Sequence, residues 1–166
     1  MQPEMTAIAA QVCEALCLSL ETMAFISPFP PDAPGPWACP VDMRRVSIEF
    51  MGPVSGLLDL AAPAAFGAML ASNALACEAT DPEAARHAED ALSELMNVTC
   101  GTLLNAIGGE GHEMGIPQVE PLDAAEWEAF TATGQATVLD ADGHLLASRV
   151  RALSTQTNQT LVMSGR

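Results

Sequence analysis

Between Ser27 and Pro40 the chain carries six prolines, at positions 28, 30, 31, 34, 36 and 40. Each fixes φ and removes a backbone donor, so neither a helix nor an interior strand can run through this stretch. Residues 27–40 are therefore a surface loop, read as an insertion, with Trp37 placed to pin it to the folded body. Ahead of the loop, Ile8, Val12, Leu16, Leu20 and Met23 recur at three- and four-residue steps, with Glu14 and Glu21 off that stripe. This pattern predicts an amphipathic helix from Thr6 to about Phe25.

Beyond the loop the period changes from helical to alternating. Val46, Ile48 and Phe50 fall on one side of Arg44 to Met51, and Arg45, Ser47 and Glu49 on the other. With the turn at Gly52-Pro53 and a second run from Val54 to Leu60, this predicts a hairpin. Pro63 to about Cys77 reads as a helix burying Phe66, Met69, Leu70 and Leu75. Asp81-Pro82-Glu83 combines an N-cap, a proline at the first helical position and an early acid, and opens a long helix to Ile107 that Gly108-Gly109 ends. An irregular apolar segment, Met114 to Val119, and an acidic stretch, Glu120 to Glu128, follow. A second hairpin joins Gln135–Leu139 to His144–Ala152 through Asp140–Gly143, and Leu161 to Ser164 reads as a last strand. The expected fold is an α/β (α+β) sandwich over residues 1–166: one mixed or antiparallel sheet with long helices packed on one face. Each half pairs a helix with a hairpin, a hint of duplicated half-units.

Charge narrows the function classes. The 166 residues include 21 acidic and 6 basic side chains, all of the latter Arg, for a net charge of −15. Such a surface does not displace counterions from nucleic acid and is repelled by anionic lipid. No apolar run reaches bilayer-spanning length by sequence and the N-terminus lacks the basic n-region of a signal peptide, so a cytoplasmic protein is expected. The five cysteines lack paired CxxC spacing and read as reduced, mostly buried thiols, although Cys13 and Cys17 stand one helical turn apart. No G-x-S-x-G or comparable nucleophile arrangement is present.

A helical wheel of Pro82 to Ile107 puts Ala88, Leu92, Leu95, Thr99 and Leu103 on a core stripe with Met96 on its flank. Asp90, Glu94, Asn97 and Gly101 form a polar row on the opposite side. Glu94 and Asn97 emerge together, three residues apart on a rigid helix. A carboxylate grips a partner's cation; a carboxamide, both donor and acceptor, holds and orients a water. Gly101 leaves room for close approach, so the row suits insertion into another protein's site. Polar residues on an outer helix face are also simply what solvent favours. His87, Asp90 and Glu94 share the face, but a hard divalent ion needs more oxygen ligands than these. No metal site is assigned.

Asp90-x-x-x-Glu94-x-x-Asn97 resembles the D/S-x-x-x-E-x-x-N signature of the CheC/CheX family of chemotaxis phosphatases. Gly101 matches the glycine that follows the family's Asn, and Pro117 its later proline. Phe50 to Leu60 is similar to the strand–turn–strand that precedes a helix of Ala65-Phe66-Gly67 type. The resemblance spans roughly residues 44–120. The earlier helix, Pro63 to Cys77, has no E-x-x-N, so single-site CheX-like members are the nearer match. The resemblance implies a phosphatase for the aspartyl phosphate of a CheY-like receiver domain. Asn97 would orient the attacking water and Glu94 would engage the receiver's active-site Lys. Asp90, Gly101 and Pro117 would serve partner binding. The protein would need no cofactor of its own, because the Mg²⁺ belongs to the receiver. The family also implies a homodimer. The alternative it leaves open is a module that binds a receiver without hydrolysis, as flagellar switch proteins of this fold do.

Overall fold

The computed structural model describes residues 3–132 and 134–153; the expected strand at Leu161–Ser164 lies outside them. Helix α1 (Pro3–Ala24) precedes the loop, and β1 (Met43–Met51) and β2 (Gly56–Pro63) form the first hairpin. Then come α2 (Ala64–Leu75), α3 (Pro82–Arg86), α4 (Ala88–Ala106), β3 (Glu113–Met114), β4 (Gln118–Pro121), α5 (Ala124–Ala132), β5 (Thr137–Ala141) and β6 (His144–Ala152). The strands make one antiparallel sheet in the order β3-β1-β2-β6-β5, with β4 also pairing β1.

Strand alternation decides what each face buries. Val46, Ile48 and Phe50 of β1, Leu58 and Leu60 of β2, and Leu146 and Val150 of β6 point to one side. There they meet Ile8, Val12, Leu16 and Leu20 of α1 and Leu92, Leu95, Met96 and Leu103 of α4. The long helices thus cover one face, as expected. On the other face Met43, Ala61, Val138 and Ala147 pack beneath Trp127 and Phe130 of α5, with Trp37 from the proline-rich loop against them. The Trp127 Nε1–H donates to the Trp37 carbonyl at 2.9 Å, so the loop is tied to that helix. Phe29 of the loop also bridges to Asp140 on the outer side of β5.

Several expectations need correcting. The long helix from Pro82 breaks at His87, whose φ of −99° and ψ of 8° leave helical geometry. On either side of the break Ala84 and Ala88 both seat against Ala68 of α2. The acidic stretch, to which the sequence assigns no element, contains a helix: Asp123 and Glu126 exchange backbone–side-chain hydrogen bonds of 2.9 and 2.8 Å, a reciprocal cap that starts α5. The segment around Pro117 is two short strands parted by Gly115-Ile116-Pro117. Met23 and Leu75, assigned to core stripes, are 37% and 47% exposed. Finally, α1 holds an 18-residue window, Ala7–Ala24, of mean hydropathy 1.3, which does reach bilayer-spanning length. Alanines and cysteines between its leucines raise the average, and its stripe from Ile8 to Leu20 is spent on the core.

Candidate functional site

Helix α4 is gripped along its whole length. Its N-terminal turn abuts α2 so closely that a Cβ added to Gly67 would lie 2.5 Å from the Ala88 carbonyl oxygen. Its middle is buried between α1 and the sheet through Leu92, Leu95, Met96 and Cys100. Its end is closed by the Ile107 N–H on the Leu103 carbonyl and the Gly109 N–H on the Leu104 carbonyl, at 3.0 and 2.7 Å. Gly108 and Gly109 take the positive φ of 117° and 58° that this exit requires. A helix held this way presents its outer row rigidly.

Asp90, Glu94, Asn97 and Gly101 form that row. Asp90 is exposed and 3.4 Å from the His87 Nδ1. Glu94 is exposed and Asn97 half-buried, and among the described residues neither side chain has a hydrogen-bond or ion-pair partner. A Cβ on Gly101 would meet only the Met114 Sδ, at 4.0 Å. Internal packing therefore does not demand glycine there, though a mid-helix glycine costs about 1 kcal/mol relative to alanine. Pro117 is on a separate element, in the break between β3 and β4, where the Gly115 N–H bonds the Glu49 carbonyl at 2.8 Å. The side chain of that edge that reaches the row is Met114, which sequence spacing did not single out.

The described arginines are committed elsewhere. Arg44 pairs with Asp42 and Glu89, Arg45 with Glu120, and Arg86 with Glu83. On the α5 face, Asp59 lies across from Ser47 on β1 and Arg149 on β6. Its fully buried carboxylate accepts from Ser47 Oγ at 2.7 Å, Arg149 Nε at 3.0 Å and Arg151 Nε at 2.7 Å. Burial alone would raise this carboxyl; the hydrogen bonds from Arg151, Ser47 and Arg149 outweigh it and hold it below the usual carboxylate range. Arg149 also stacks 4.0 Å over the Phe130 ring. Each of the five described arginines is thus engaged by a carboxylate, and none of them lies beside the Glu94–Asn97 pair.

This architecture has relatives among solved structures. A chemotaxis protein CheX from Desulfovibrio desulfuricans superposes with a TM-score of 0.63 at 16% identity, over 89% of this chain and 99% of that one. CheX in a CheX–CheY–BeF3–Mg²⁺ complex from Borrelia burgdorferi gives 0.58 at 16% identity, over 86% and 96%. Thermotoga maritima FliY gives 0.57 at 15% identity, over 92% and 91%. Among curated proteins no sequence matches. The family model of the chemotaxis phosphatase CheX matches residues 45–127, which run from β1 through the row on α4 to Trp127 of α5. The chain belongs to the CheX family of chemotaxis phosphatases.

Proposed function

We propose that this protein dephosphorylates the aspartyl phosphate of a CheY-like receiver domain by inserting the outer row of α4 into the receiver's site. The observation that carries the reading is the Glu94–Asn97 pair: two polar side chains without internal partners among the described residues, on a helix fixed at both ends. The carboxamide of Asn97 accepts from, and so orients, a water in line with the phosphorus. That water attacks, the bond to the aspartyl oxygen breaks, and inorganic phosphate leaves the free carboxylate behind. Positioning is the main resource of such a step. Glu94 pairs with the receiver's Lys and fixes the approach. The receiver supplies the Mg²⁺ and the cation that stabilise the transferring group, consistent with a row that has no Arg beside it among the described residues.

Gly101 lets the receiver's backbone approach, Asp90 meets its rim, and Pro117 shapes the neighbouring edge. The same reading places the protein in the cytoplasm as a homodimer, pairing through the part of β5 that Phe29 leaves open; static light scattering checks that state. The direct test is phosphate release from receivers of the same cell, phosphorylated with acetyl phosphate. Acceleration by the purified protein supports the phosphatase. Binding to a phosphorylated receiver with no acceleration identifies the non-catalytic module instead.

A further inference from the structure

Phe25, the first residue past α1, is 93% exposed with its backbone at φ 57°. The fold gains little from Phe25, since almost none of its apolar area is removed from water. The left-handed backbone costs an ordinary residue about 1 kcal/mol, where Gly or Asn would be tolerated. Single exposed apolar residues are common, but this one is not isolated. With Met23, Leu70, Ala74 and Ala91 it lines an open groove of about 500 Å³ between α1, α2 and α4. Its only ionisable wall is Glu94, which has no partner among the described residues.

We propose that this groove receives an apolar side chain of the phosphorylated receiver, adjacent to the cation that Glu94 engages, and that Phe25 is its docking anchor. The inference rests on the receiver-directed reading above and adds the surface that sets affinity. An apolar trough ending in an unpaired carboxylate fits a partner that offers a cation beside an apolar side chain. A second copy of this chain fits poorly, since it has no Lys and each of its described arginines is already held by a carboxylate. A membrane fits poorly because a net charge of −15 is repelled by anionic lipid.

The test compares wild type with Phe25→Asn and Ala74→Trp, measuring affinity for a receiver loaded with beryllofluoride and Mg²⁺, and steady-state phosphatase kinetics. Both positions are exposed, and Asn suits the left-handed backbone, so Phe25→Asn should melt at or above the wild-type temperature. The expected result is a Kd and KM raised about tenfold, as for loss of one interface anchor, with kcat held. Ala74→Trp, which fills the groove, should weaken binding in the same way. Unchanged Kd in a folded Phe25→Asn variant overturns the inference. So does a change of oligomeric state with unchanged receiver affinity, which assigns the groove to a second copy. If the wild type is active and both variants match it, only the groove fails. If the wild type neither binds nor dephosphorylates any receiver, the functional reading fails with it.

Discussion

Gly67 on α2 and Ala88 on α4 approach so closely that a Cβ on the glycine would fall 2.5 Å from the Ala88 carbonyl oxygen and 2.9 Å from the Leu92 Cγ. No real Cβ occupies such a position, so this crossing depends on glycine. It fixes the first turn of α4, and every residue of the row downstream inherits that placement. The helix of the site is thus located by a contact to an element that contributes no residue to the row.

Replacing Gly67 by Ala forces α2 and α4 apart. The expected cost is about 1–3 kcal/mol, as for other overpacked cores, read as a lowered midpoint in thermal or urea denaturation. Receiver dephosphorylation should fall as well, because the row moves with α4. An unchanged midpoint would show that the two helices do not meet this closely.

Gly101 should behave in the opposite way. Gly101→Ala relieves a mid-helix glycine and should stabilise the protein by up to about 1 kcal/mol, since the added atom meets only the Met114 sulfur. Gly101→Leu should keep its melting temperature yet lose kcat/KM, because bulk there stands between the helix and its partner. Wild-type kcat/KM in the Leu variant would remove Gly101 from the docking surface.

Asp59 gives the fold a signature in acid. Its side chain is fully buried between Arg149, Arg151 and Ser47, and removing it strands two guanidiniums. Asp59→Ala should cost about 3 kcal/mol, as when one partner of a buried pair is deleted. The folded carboxyl titrates below its ordinary value of about 3.9. The unfolded chain therefore takes up the proton first as pH drops. Stability from this group is complete above that value and is lost as pH falls through the folded-state pKa. Urea melts from pH 6 down to pH 3 should show a shallower decline for Asp59→Asn than for wild type. Parallel declines would mean the carboxylate is not held this way.

The thiols should divide by burial. Cys100, 0% exposed on the inner side of α4, is pushed by desolvation up to about 11. Iodoacetamide at pH 8, followed by peptide mapping, should leave Cys100 unmodified in the native protein and alkylate it in urea. Native labelling of Cys100 at the rate of the half-buried Cys77 would show that α4 lifts from the sheet.

What the sequence made legible was whatever had a short-range cause. The alternation from Arg44 to Met51 gave β1, and Asp142-Gly143, at φ of 55° and 82°, closed the second hairpin as a type I′ turn. The wheel over Pro82 to Ile107 separated Leu92, Leu95, Thr99 and Leu103 from Glu94 and Asn97 correctly. The break at His87 escaped because the contact of α2 with Ala84 and Ala88 is long-range. Helix α5 had a local signal, the Asp123-x-x-Glu126 cap ahead of Trp127 and Phe130, but the run of acids around it masked the cap. Asp59 stood inside an apolar strand with nothing nearby to name Arg149 and Arg151, 90 and 92 residues away. The groove at Phe25 joins three helices, and the period that placed Met23 in the core gave no sign that α1 ends just before it could be covered.

The central claim is that Asn97 performs the chemistry while the surface around it performs the binding. The measurement is the rate of phosphate loss from a phosphorylated receiver of the same cell under saturating wild type or Asn97→Ala protein, beside the affinity of each for the beryllofluoride-loaded receiver. Wild type should accelerate the loss, and Asn97→Ala should return it to the receiver's own rate with affinity nearly unchanged. Wild-type acceleration by Asn97→Ala would contradict the claim.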